Sequence, residues 1–114
     1  MTNDWIVPEK SIPRGTTPTL RYKFNRVNVT DIAVAYMTLK QGSLTIEKTL
    51  ADADVVHDED NNYLDWRLTQ AETLSISMKS NVEVQCRWKL ADGTAGESPV
   101  TVTSPARILK EGEI

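Results

Sequence analysis

The chain has 114 residues, of which 39% are hydrophobic and 25% charged, and its formal net charge is −3. That length suits a single domain spanning 1–114 and leaves no room for two independent cores. The acidic balance argues against nucleic acid as a partner, because phosphate neutralisation needs Lys and Arg in surplus on one face. No apolar run approaches the ~20 residues that cross a bilayer, so no membrane partner is expected. The polar start from Met1 to Val7 lacks the apolar core of a secretory signal, and the expectation is a chain made and kept in a cytoplasm before any assembly.

Near the N-terminus Trp5 has only Ile6 and Val7 as apolar company, and two readings stay open: it pins an edge strand, or it is an exposed anchor for a partner. The segment Ile12 to Pro18 is rich in turn formers, and its prolines forbid a continuous central strand. Leu20, Tyr22 and Phe24 then alternate with Arg21, Lys23 and Asn25, which predicts an amphipathic strand. Ile32 to Lys40 is rich in β-branched and aromatic residues, and Gln41-Gly42-Ser43 separates it from Leu44 to Leu50, which predicts a hairpin.

Ala51 to Asp65 carries six acids and no base, and reads as a flexible solvated loop with His57 in it. From Tyr63 to Leu68 the side chains of Leu64, Trp66 and Leu68 fall on one face and those of Asp65 and Arg67 on the other. Thr69-Gln70-Ala71-Glu72 has the form of a capping box opening a short helix of two turns or so, with Leu74 and Ile76 closing one end of the core. Val82, Val84, Cys86, Trp88 and Leu90 alternate with Glu83, Gln85, Arg87 and Lys89, the period of a strand with one buried face. Asp92-Gly93 supplies a tight turn, after which Ser98, Val100 and Val102 resume the alternation as the return arm of a hairpin. About seven short strands and one helix predict an all-β sandwich, because an open sheet of that composition would leave an apolar face in water.

The chemistry-bearing residues do not combine into a catalytic set. Cys86 alternates in phase with Val84 and Trp88, so its thiol is expected inside as a small hydrophobe, and Trp66 and Trp88 are expected in the core for the same reason. A single cysteine and a single histidine cannot build a thiolate–imidazole zinc site, and His57 beside Asp58 lacks the spacing that would orient an imidazole as a base. Asp52, Asp54, Asp58, Glu59, Asp60 and Asn61 offer oxygen ligands suited to calcium, but the EF-hand glycine is missing. The expectation is a non-enzyme with no cofactor and no metal. Between Met1 and Thr30 five bases oppose two acids, so the chain looks electrostatically lopsided next to its acidic segment.

Four stretches together, Ile12-Pro13-Arg14-Gly15-Thr16-Thr17-Pro18-Thr19-Leu20, Asp31 to Tyr36, Leu68 to Leu74 and Val82 to Trp88, resemble small prophage proteins of Gram-positive bacteria. Their order is similar to that in the N-terminal immunoglobulin-like domain of phage baseplate upper proteins. The resemblance covers Ile12 to Leu109 and implies an immunoglobulin-like sandwich in a phage tail or baseplate, hence a virion protein. It implies other tail proteins, or further copies of this chain, as partners, and it carries no catalytic residues. The chain ends at Ile114 with no receptor-binding region behind the domain, which makes an adaptor or connector role the expectation. The expected protein-contact residues are Trp5, Arg14, Arg21, Asp58, Glu59, Asp60, Asp92 and Gly93, because loops at the ends of a sandwich are held in place by its strands. The alternative is a carbohydrate-binding module stacking sugars on Trp5, Tyr36 or Tyr63.

Overall fold

A computed structural model describes residues 4–6, 11–24, 27–58, 61–98 and 100–114, and these build two sheets packed as a sandwich with one short helix. In chain order the elements are β1 (Asp4–Ile6), β2 (Ser11–Pro13), β3 (Thr19–Lys23), β4 (Ile32–Gln41), β5 (Leu44–Thr49), β6 (Ala53–His57), β7 (Asn62–Arg67), α1 (Gln70–Leu74), β8 (Val82–Leu90), β9 (Ala95–Glu97) and β10 (Thr101–Ala106). One sheet has the order β1-β3-β7-β6. The other runs β2-β10-β8-β4-β5, with β9 also on β8. There are ten strands among the described residues; β1, β2 and β9 are three-residue pieces, too short to show an alternation.

The core follows the period-two pattern. Leu20, Tyr22, Leu64 and Trp66 face inward from the smaller sheet, and Met37, Leu39, Val84 and Cys86 meet them from the larger one. Tyr22 and Phe24 lie 4.8 Å apart edge to face, and Phe24 lies 5.0 Å from Trp88, so one aromatic cluster ties β3 to the opposite sheet. Trp88 reaches this cluster beneath Gly96, where a β-carbon would come within 2.6 Å of the indole. The capping box is present: the Glu72 amide donates to Thr69 Oγ1 at 3.1 Å, and Glu72 Oε1 accepts from the Thr69 amide at 2.8 Å. The helix stops after five residues, shorter than expected, and Ile76 closes that end of the core.

Two expectations are corrected. The first concerns the acidic segment, which is not all loop: Ala53–His57 forms β6, and His57 is its last residue. As an edge strand bonded, among the described residues, to β7 alone, it leaves Asp54 to His57 exposed and so shows no buried alternation. The second concerns Val100 and Val102, which are exposed (49% and 59%) where the alternation would carry them inward. From Arg87 to Val84, β8 advances three residues, while the chain opposite advances four, from Glu97 to Thr101. The extra residue is a bulge that reverses the facing of everything after it. Ser98 holds the near side: its amide donates to the Cys86 carbonyl at 2.8 Å, and its Oγ accepts the Cys86 amide at 2.9 Å.

Candidate protein-contact surface

Arg14 lies in the β2–β3 turn, and its side chain is 14% exposed. Its Nε donates to the Ile76 carbonyl at 2.7 Å and its Nη2 to the Leu74 carbonyl at 3.1 Å, so the guanidinium satisfies carbonyls left free where α1 ends. Its Nη1 meets Glu111 at 3.3 Å, and Ile114 exchanges two hydrogen bonds with the Gln70 side chain, which draws the C-terminal tail over the same end. The cation is engaged within the chain.

Arg21 is engaged too. On the outer face of the smaller sheet its Nε and Nη2 bond both oxygens of Asp65, its cross-strand neighbour, at 2.7 and 2.9 Å. The guanidinium also lies 4.1 Å from the centre of the Tyr63 ring. The Asp65 hydrogen bond holds Arg21 more firmly protonated than usual. Arg21 of β3 thus lies against Asp65 of β7, and part of the charge asymmetry read along the sequence is neutralised inside the fold.

Asp58 accepts the Asn61 amide on Oδ1 and the Asn61 side chain on Oδ2 at 3.2 Å, so the carboxylate closes its own turn. Glu59 and Asp60 lie outside the described residues. Asp52 bonds the Thr49 amide at 3.0 Å, and that bond holds its carboxyl below the usual range. Among the described residues, no three His, Cys, Asp or Glu side chains gather as metal ligands. Asp92 accepts the Thr94 amide at 2.8 Å, which lowers its carboxyl in the same way, and Gly93 takes φ +94°, a value that favours glycine. Trp5 pairs with Tyr22 along the backbone, and its side chain lies outside the description.

These residues do not share one surface. The Asp58 turn and the Asp92-Gly93 turn sit at the same end, since Asn62 bonds the Val29 amide and Ala91 bonds the Asp31 carbonyl there. Arg14 sits at the opposite end with α1, and Arg21 lies on a sheet face between them. Asn62, which sequence reasoning did not single out, is the latch of the first end: its Nδ2 donates to the Phe24 carbonyl at 3.3 Å and also to Val27, and its Oδ1 lies 3.0 Å from His57 Nδ1.

Sequence reasoning also passed over the outer face of the larger sheet. Val34 and Tyr36 on β4 are 39% and 42% exposed, and Val100 and Val102 stand on the other side of β8. Tyr36 lies in a shallow concavity with Arg87 and Lys89, and Val100 in a second one with Thr38, Lys40 and Gln85. Two apolar residues at outward positions of β4 were the available signal, since the opposite face of that strand is already filled by Ala35, Met37 and Leu39. The chain matches no family model and no curated protein. Cys86 is buried, and its thiol is pushed up to about 12 by burial. Of the aromatic residues considered for sugars, Tyr36 is open, whereas Arg21 covers the face of Tyr63.

Proposed function

We propose that the chain is a non-enzymatic structural or adaptor module that works through protein–protein contacts, in a phage or prophage tail or baseplate. The observation that carries the contact role is the outer face of the larger sheet, where four large apolar side chains stand in water among paired charges. A nearly flat surface of that kind fits another protein better than a small molecule. The immunoglobulin-like reading draws support from the strand order: β1-β3-β7-β6 corresponds to A-B-E-D, and β10-β8-β4-β5 to G-F-C-C′. The tail assignment rests on the sequence resemblance, which in turn makes the virion the expected location.

Two measurements test this reading. Particles purified from a lysate of the producing strain are digested and analysed by mass spectrometry, and the chain is expected to co-sediment with tails at a fixed copy number. Its absence from particles would overturn the tail assignment. In a glycan-binding screen no sugar-dependent signal is expected; a signal lost on Tyr36→Ala would favour the carbohydrate-binding alternative.

A further inference from the structure

The outer side chains of the larger sheet form rows across its strands. The middle row runs from Val100 through Gln85 and Thr38 to Glu47, so its one charge stands on the edge strand. On one side lies the row Glu97, Arg87, Tyr36; on the other lies Val102, Glu83, Lys40. Along β8 the sign therefore changes, from Arg87 through neutral Gln85 to Glu83.

We propose that this face binds a second copy of the same chain, with a two-fold axis running across the strands through the Gln85–Thr38 row. Such an axis stacks each row on the row of opposite position. Arg87 of one copy then meets Glu83 of the other, twice, and Tyr36 meets Lys40, a cation over an aromatic ring. In the middle row uncharged Gln85 and Thr38 meet their own copies, as a two-fold axis requires of whatever lies on it. Val100 leaves water, and Val102 comes to lie beside Glu97 of the other copy. Glu47 is the acid that would meet its own copy, and it sits on edge strand β5, where the twist of stacked sheets splays the rims apart. An axis along β8 is disfavoured, because it would set Arg87 against Arg87 and Glu83 against Glu83. Among the described residues Arg87 has one ion pair within its chain, an exposed contact at 4.0 Å with Glu97, which contributes little. This self-association stands on the charge pattern alone and does not depend on the tail assignment.

The test is sedimentation equilibrium on the whole chain. A concentration-dependent dimer is expected, weakened as salt rises. Glu83→Arg and Arg87→Glu should each weaken dimerisation about tenfold or more, while the double variant restores it, because the interchain pairs are then merely exchanged. Mixing the two single variants should yield a heterodimer. Both residues are exposed, and unchanged circular dichroism shows that each variant is folded. A chain that is monomeric at all concentrations overturns the proposal, as does a dimer indifferent to both single changes.

Discussion

Arg21 on β3 donates two parallel hydrogen bonds to Asp65, its direct cross-strand neighbour on β7. Asp65 also has Asp54 beside it on β6, so Arg21 is the cation between this acidic pair and the solvent edge of the sheet. Arg21→Glu would place three carboxylates in one row and is expected to lower stability by about 1–3 kcal/mol. Urea denaturation measures it, and exchanging the residues as Arg21→Asp with Asp65→Arg should recover part of the loss. A variant as stable as the parent would show that the pair contributes nothing.

Arg14 makes a parallel case at the other end. Arg14→Ala removes the donors that serve the Leu74 and Ile76 carbonyls and is expected to cost about 1–3 kcal/mol. Arg14→Lys keeps the charge but not the fork, so it should recover only part of that. Thermal unfolding followed by circular dichroism separates the three proteins.

Gly96 is needed for closeness rather than for an unusual φ. Its added methyl in Gly96→Ala would fall 2.6–2.9 Å from three indole atoms of Trp88, and a ring packed between Tyr22 and Phe24 has little room to retreat. The expected loss is about 1–3 kcal/mol, with a changed near-ultraviolet signal from the displaced tryptophan. An unaltered signal and midpoint would show that the ring gives way freely.

The buried thiol predicts two behaviours. At pH 8 Cys86 should resist a thiol reagent in the native protein and react at once in denaturant, because its pKa stands at about 12 when folded. The unfolded thiol titrates near ~8.5. The folded state therefore holds the proton more tightly, and stability is full below that value and declines as pH rises above it. Rapid labelling of the native protein at pH 8 would contradict this environment.

Glu72 carries the opposite dependence. Burial by itself raises its carboxyl, but the Lys48 ammonium at 2.7 Å and the Thr69 amide outweigh it, and the net shift is downward. Stability from this group is present above the ordinary carboxylate value of ~4.3 and is lost as pH falls through the lower folded value. Glu72→Gln should flatten the stability profile below the ordinary carboxylate value, whereas an unchanged acid limb would place the dependence elsewhere.

What the sequence made legible was whatever repeats locally. The stripe from Val82 to Leu90 and the Thr69–Glu72 box each declare themselves within nine residues, and both are present as read. The β4–β5 turn at Gly42-Ser43 is equally local. Partners far apart along the chain were invisible: Arg14 finds Ile76 62 residues away and Arg21 finds Asp65 44 away, so both looked like free surface cations. Strand β6 was missed because an edge strand exposed on nearly all sides has no buried phase to betray it. The outer face eluded the reading for another reason, namely that a one-residue offset cannot be seen in a pattern that continues to alternate on either side of it.

That offset beside Ser98 decides which way two valines look. Were the strand to run on from Ser98 without it, Val100 and Val102 would turn toward the greasy interior and Thr101 and Thr103 would be pushed out. Such a strand would give a drier centre and leave no sticky patch on the flank. The bulged strand keeps hydroxyls inside and hydrocarbon outside, an arrangement suited to company rather than to solitude.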